Sequence, residues 1–279
     1  MRIDLHCHSD VSDGTRPPAE VVRRARAAGV DVLALTDHDT VAGWEEAASA
    51  LAPGMTLVPG VELSCHQDGQ SLHLLGYLFD PSAAELAAEL ARIRDDRVVR
   101  ARTMVDRLRA LGVDVTWERV RELARGEAVG RPHVARAMVE AGAVRTVDEA
   151  FTRDWIGAGG RAYADRYALD PVRAVRLIRD AGGAAVLAHP RPRRGPAVAD
   201  AVVERLAEAG LAGIEVDHPD QDGAARERLR DLASALGLLV TGSSDDHGAL
   251  TGDRIGCETT SPDAYAALLD AASGEPVTG

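Results

Sequence analysis

The sequence predicts an α/β fold of βα units, arranged as a parallel sheet or barrel and interrupted by an all-helical insertion. Three observations carry this. Short apolar runs alternate with amphipathic helical stretches over residues 1–80, helical patterning alone fills 81–160, and the alternation resumes over 161–279. Strands and helices that take turns at this spacing form βα units. The expected division is therefore one domain from 1–80 and 161–279, with 81–160 inserted as a second, helical one.

The elements follow in order. "RIDLH" is a strand. Pro17 suits a helix first turn, and "PPAEVVRRARAAG" runs from there to Gly29. "VDVLALTDHD" is a strand with its loop, and "TVAGWEEAASAL" a helix with Thr40 as its expected N-cap. "MTLVPGVELSC" and "SLHLLGYLF" are two more strands. From Pro81, "SAAELAAELARIRDDRVVRARTMVDRLRALG" reads as one long helix. "TWERVRELARG", "RPHVARAMVEAG" and "TVDEAFTRDW" follow as shorter helices, and the insertion ends near Gly159–Gly160. "DPVRAVRLIRDAG" is then a helix, "GAAVLAHP" a strand, "AVADAVVERLAEAG" a helix and "LAGIEVDHP" a strand. "DGAARERLRDLASALG" is a helix and "LLVTGSSDDHG" a strand with its loop; "SPDAYAALLDAA" is expected to close the chain as a helix.

With 46% hydrophobic and 27% charged residues, the 279-residue chain has an ordinary globular composition. No stretch approaches the roughly 20 apolar residues of a membrane span, and the N-terminus does not read as a signal peptide. Cys7, Cys65 and Cys257 are scattered and odd in number, which points to a reducing cytoplasm rather than a disulfide framework. The formal net charge of −12 argues against a duplex-DNA face but leaves room for an anionic substrate at a locally positive site. Lysine is absent, which excludes Schiff-base and Walker-A chemistry.

The polar residues at strand ends carry the functional signal. His6 and His8 stand at i and i+2, on one face of a strand end. His38 follows the second strand, Glu62 ends "LVPGVE", His73 lies within "SLHLLGY", His189 follows "AAVLA", and Asp245 and His247 follow "LLVTG". Residues beyond the C-terminal strand ends of a βα barrel converge on one face. Imidazoles and carboxylates gathered there suit Zn, Mn, Fe or Ni, and few other roles explain so many costly polar groups at an apolar rim. Asp37 and Asp39 could orient imidazoles by hydrogen bonding. His66 reads as a surface residue, Asp246 as a solvated loop acid, and His218 as a residue of open role on the same rim.

Together "DLHCHSDVSDGT", "ALTDHDTVAG", "PGVELSC", "HLLGY", "LAHP" and "GSSDDHG" resemble the PHP (polymerase and histidinol phosphatase) family. More narrowly they resemble its branch of nucleoside 3',5'-bisphosphate phosphatases and ribonuclease AM-like proteins. The likeness extends into the insertion through "GRPHVARAMVEAG". It implies a distorted (β/α)7 TIM-like barrel and two to three divalent ions, Mn2+ foremost with Fe2+ or Zn2+ as alternatives. By the same resemblance His6, His8, Glu62 and Asp245 bind one metal, Asp13, His38 and His247 a second, and Glu62, His73 and His189 a third, with Glu62 bridging. Asp13, His38, Asp245 and His247 would be the catalytic set. Arg131 and His133, at a helix start that suits phosphate, and Arg100, Arg102 and Arg191 would contact substrate.

The resemblance implies a metal-dependent phosphoesterase that hydrolyses a phosphate ester by metal-activated hydroxide. The substrate expected first is a nucleoside 3',5'-bisphosphate losing its 3'-phosphate. The alternatives are 5'-3' exonuclease action on short RNA and hydrolysis of nucleotide or cyclic ribose phosphates. From other classes, the alternatives are an inactive metal-binding PHP module and a metal-dependent amide or lactone hydrolase. The absence of a GxSxG elbow and of lysine argues against a covalent route.

Overall fold

The computed structural model describes residues 1–67, 69–126, 128–165, 167, 169–193 and 196–279. Strands β1 (Ile3–Asp4), β2 (Val32–Leu35), β3 (Thr56–Gln67), β4 (Gln70–Tyr77), β5 (Ala184–Ala188), β6 (Gly213–Asp217) and β7 (Leu239–Gly242) pair in chain order and form a nearly closed barrel of seven strands. At the seam between β7 and β1, His8 N–H donates to the Asp246 carbonyl at 2.9 Å and Ser244 N–H to Asp4 Oδ1 at 3.0 Å.

β1, β2 and β3 are parallel, as are β5, β6 and β7, but β4 runs antiparallel to both of its neighbours. This departs from a run of parallel βα units. The link from Gln67 to Gln70 is too short for a parallel crossover, which takes a dozen or more residues. The reversal is the distortion of this barrel. It sets His73 opposite Ser64 on β3 and Ala188 on β5.

Alternation sorts the side chains of the strands. Val58, Leu75 and Tyr77 share parity with Glu62 and His73 and cluster with Ala34, Val186 and Ala188. They form an apolar floor beneath the polar rim, where Tyr77 Oη donates to the Leu5 carbonyl at 2.8 Å. Leu33, Leu35 and Leu57 face the other way, onto Val21, Val22 and Ala25 of α1 (Pro18–Ala27) and Ala47 of α2 (Trp44–Ser49). α2 starts after Gly43, and Thr40 instead accepts a hydrogen bond from Ala42 N–H at 3.3 Å, so Thr40 is not the N-cap.

Helix α3 (Ala84–Ala110) serves two cores. Leu86, Leu90 and Ile93 pack with Leu63, Leu72 and Ile178, on the barrel side. Met104, Val105 and Leu108 pack with residues of α4 (Trp117–Ala124), α5 (Arg131–Glu140) and the single turn α6 (Val147–Ala150). No strand lies between α3 and α6 among the described residues.

The outer layer continues with α7 (Pro171–Asp180), α8 (Asp200–Glu208), α9 (Gly223–Leu236) and α10 (Pro262–Asp270). Asp170, Asp222 and Ser261 cap α7, α9 and α10 through their side chains, each contact stabilising its helix by about 1 kcal/mol. The chain does not close on α10: β8 (Val277–Thr278) adds two residues antiparallel to β3. No helix among the described residues is long and apolar enough to cross a membrane.

Candidate metal centre

The barrel delivers its polar groups to one point. His6 and His8 extend β1, His38 follows β2 and bridges to Glu62 within β3, and His73 faces them from β4. His189 follows β5 directly, and Asp245 and His247 follow β7. His189 and Asp245 hold backbone φ of 28° and 49°. Left-handed backbone at such residues costs on the order of 1–3 kcal/mol each and persists only where the surroundings enforce it.

The ligand-type atoms crowd more closely than hydrogen bonding explains. His6 Nδ1 meets Glu215 Oε1 at 3.0 Å, so a proton sits there and Nε2 is the nitrogen left to bind a metal once it gives up its own proton. That Nε2 lies 3.0 Å from His8 Nε2. Asp245 Oδ1 stands 3.3 Å from His6 Nε2 and 3.2 Å from His8 Nε2, yet it is buried and makes no hydrogen bond among the described residues. His38 Nδ1, 3.1 Å from Glu62 Oε2, is buried in the same condition. Nitrogen and oxygen donors converging across about 3 Å are the bite of a chelate once the imidazoles shed their protons, and this donor set fits a divalent cation.

Glu62 divides the site. Its Oε2 faces His6, His8 and His38 at 3.3, 3.1 and 3.1 Å, while Oε1 faces His73 at 2.7 Å and His189 at 3.2 Å. Asp13 closes the third side, 3.2 Å from His247 Nε2 and 3.6 Å from His38 Nε2. Groups whose ligand atoms lie within 4.8 Å of one another are His6, His8, Glu62 and Asp245; His8, Asp13, His38 and His247; and His38, Glu62 and His73. A further group is His6, His189 and Glu215. All the residues expected to bind metal are brought together.

The electrostatics follow from burial of both signs. Burial alone would push His6 and His8 down. The carboxylates of Asp245 and Glu62, with Glu215 for His6, outweigh it, so His6 lies well above its ordinary value and His8 at about 10. Burial wins at His38, which falls to about 3 although Glu62 and Asp13 pull the other way. Burial would raise Glu62, Asp13 and Asp245, but the surrounding imidazoles hold all three well below the carboxylate range.

Several residues escaped the sequence reading. Glu215, buried within β6, holds His6 and accepts from His189 N–H at 2.9 Å. Arg254 donates to the Asp245 carbonyl at 2.8 Å. Asp246 is not a solvated acid: it is buried and accepts from Gly248 N–H and Arg254 N–H, stapling the loop after β7. Asp37 accepts from Ser9 and Ser12, and Asp39 from Ser64 N–H and Arg97. His66 is half-buried.

A cavity of about 390 Å³ opens beside the cluster, lined by His73, His189, His218 and Asp245 and, from the insertion, Arg131. The other residues expected at substrate stand elsewhere. Arg100 Nε donates to the Ala164 carbonyl, and with Arg97 and Arg131 it lines a smaller neighbouring recess. Arg102 lies over the Trp117 ring and Arg191 pairs with Asp200; neither lines the large cavity. His133 is buried at the start of α5, with Nδ1 accepting from Gly130 N–H at 3.0 Å; burial lowers it to about 4.

Comparison with known proteins agrees with the geometry. The PHP domain matches residues 4–112. The chain is 37% identical over 249 residues to a 5'-3' exoribonuclease of Haemophilus influenzae, covering 88% of this chain and 90% of that one. It is 36% identical over 255 residues to a 3',5'-nucleoside bisphosphate phosphatase of Chromobacterium violaceum, covering 90% and 89%. A crystal structure from Bifidobacterium adolescentis, described as a metal-dependent phosphoesterase, superposes with a TM-score of 0.91 at 33% identity over 97% of this chain and 96% of that one. The chain belongs to the PHP family and is one of its metal-dependent phosphoesterases.

Proposed function

We propose that this phosphoesterase removes the 3'-phosphate from nucleoside 3',5'-bisphosphates. The observation that carries the substrate is the cavity, which has the cluster on one wall and Arg131 of the insertion on another. Its volume suits a nucleotide-sized ligand. With its ions bound the cluster would be one positive pole and Arg131 a second, and two such poles facing one space suit a small molecule with two anionic groups, one at the cluster and one at a guanidinium whose planar fork matches phosphate oxygens. A relative with that activity in its name supports the choice.

The reading assigns one ion to His6, His8, Glu62 and Asp245, a second to Asp13, His38 and His247, and a third to Glu62, His73 and His189. Mn2+ comes first, because Asp13 and Glu62 add hard oxygen donors, with Fe2+ and Zn2+ next. Bound divalent ions supply an acidified water and neutralise charge on the phosphoryl group. Asp13, His38, Asp245 and His247 hold that region in order, and Asp245 and His247 are the side chains placed to move a proton. Arg131 orients the second phosphate, with Arg100 and His133 behind it. Residues 81–160 act as a lid on the barrel of 1–80 and 161–279. The enzyme works in the cytoplasm on small phosphorylated molecules, without duplex DNA or membrane.

Phosphate release from 3'-phosphoadenosine 5'-phosphate, AMP and a short 5'-phosphorylated RNA by the Mn2+-loaded protein tests this, each repeated with His8→Ala. The expected result is fast release from the bisphosphate, lost by more than about a hundredfold in the variant, beyond the range for outer-layer partners of a metal. Turnover of RNA alone would transfer the reading to an exoribonuclease, the activity named for other relatives. Metal binding without turnover of these or of cyclic ribose phosphates would favour an inactive module.

A further inference from the structure

We propose that His218 is a positioning residue for Asp245: it ties down one carboxylate oxygen, so that the other alone faces the metals. The inference rests on the metal reading above and adds a residue to it.

His218 follows β6 by one residue and is buried. Its ring lies 5.0 Å from that of His189 and 6.5 Å from that of His6, which invites its assignment as another ligand. Its hydrogen bonds argue otherwise. Asp220 N–H donates to His218 Nδ1 at 3.0 Å. A backbone amide nitrogen can only donate, so Nδ1 presents its lone pair and the ring proton resides on Nε2. Nε2–H points at Asp245 Oδ2, 3.2 Å away. Both nitrogens are engaged, and no lone pair is left for a cation.

The consequence falls on Asp245. Oδ2 is held by His218 and has an Arg254 guanidinium nitrogen at 3.5 Å. Oδ1 faces His6, His8 and His247 at 3.3, 3.2 and 3.5 Å and makes no hydrogen bond among the described residues. The two oxygens therefore have separate duties, and Asp245 is a one-oxygen ligand. The same loop holds Asp245 at a φ of 49°, with Arg254 bonded to its carbonyl at 2.8 Å. Without the Nε2–H donor the carboxylate is free to rotate and offer both oxygens, which changes the coordination number of the ion it holds.

The test compares wild type, His218→Ala and His218→Gln, whose side-chain amide offers an N–H near the position of Nε2. Metal affinity is measured by competition with a chelator, and coordination by the visible spectrum of the Co2+-substituted protein. We expect His218→Ala to bind one equivalent about 10–100-fold more weakly, the range for outer partners of metal ligands, with an altered cobalt spectrum. His218→Gln should restore both. Wild-type affinity and spectrum in His218→Ala would overturn the proposal, as would a folded His218→Gln that matches the alanine variant. If the alanine variant does not fold, nitrogen NMR of the histidine rings in the Zn2+-loaded wild type decides: a proton on Nε2 of His218 supports the proposal, and one on Nδ1 overturns it. A wild-type protein that binds no divalent ion would overturn the metal reading itself, a result distinct from any difference among the variants.

Discussion

A carboxylate taken fully out of water persists only where donors or cations surround it. Glu215 meets that condition through His6 Nδ1 at 3.0 Å, the Ser243 hydroxyl and His189 N–H. Burial would raise it, but His6 and His218 bring it down to about 2. The chemical role follows from the His6 contact, which keeps the proton on Nδ1 and frees Nε2 for metal. Glu215→Ala should therefore weaken metal binding by about 10–100-fold and destabilise the metal-free fold by about 3–5 kcal/mol, the cost of orphaning a buried charged partner. Chelator competition and urea unfolding measure the two. Unchanged affinity would mean that His6 keeps its orientation unaided. The sequence concealed Glu215 because "GIEVD" satisfies strand alternation and the glutamate precedes the strand end. Asp246 was hidden for a related reason: "DDH" offers two acids, and only the loop's hydrogen bonds show that one faces the metals and the other the backbone. His6 and His8 were legible because imidazoles at the end of an apolar run have no packing role, and His247 because its loop follows such a run with a close-set acid and imidazole.

At the scale of elements, the insertion is fastened to the rim by a few polar contacts. Arg94 donates to the Asp39 carbonyl at 2.9 Å, and Arg97 reaches the Asp39 carboxylate at 2.6 Å and Ser64 Oγ at 2.7 Å. Asp39 is buried, adjoins His38 and has a φ of 56°. Any shift of α3 therefore reaches the loop that carries His38. Arg97→Ala should cost about 3 kcal/mol, the low end for breaking a buried ion pair, and should lower kcat as well as raise KM because His38 loses its support. Thermal unfolding and steady-state kinetics check it; a rise in KM alone would confine Arg97 to the substrate side. Helix identity was legible here, since α3 was readable over its length from periodicity. Strand direction was not. Apolar alternation reads the same in both directions, and only the short link before Gln70 signals that β4 turns back. β8, two residues long, carries too little pattern to be seen.

Across the whole molecule the centre is a buried store of protons that metal must displace. His8, raised to about 10, contributes stability that is complete below the unfolded value near 6.5 and lost as pH rises through about 10. His38, lowered to about 3, acts in the opposite sense: the unfolded chain takes up a proton below about 6.5 that the folded chain refuses until about 3, so stability falls with pH on the acid side. Glu62, Asp13 and Asp245, held well below the carboxylate range, give stability that is present above about 4 and is lost as pH falls further. The metal-free protein should thus be most stable near neutrality. A cation binds only the unprotonated imidazoles of His6 and His8, so loading near pH 7.5 must release protons. The calorimetric heat of Mn2+ or Zn2+ binding should then vary with the ionisation enthalpy of the buffer, and affinity should rise from pH 6.5 toward 10. At a free metal concentration 100 times Kd, loading should add about 2.7 kcal/mol of stability, several degrees in Tm, and a chelator should remove it. Heats that do not depend on the buffer would mean that the pair is already unprotonated before metal arrives. The carboxylates of Glu62 and Asp245 would then be balanced by cations outside the cluster, of which Arg254 is the nearest to Asp245.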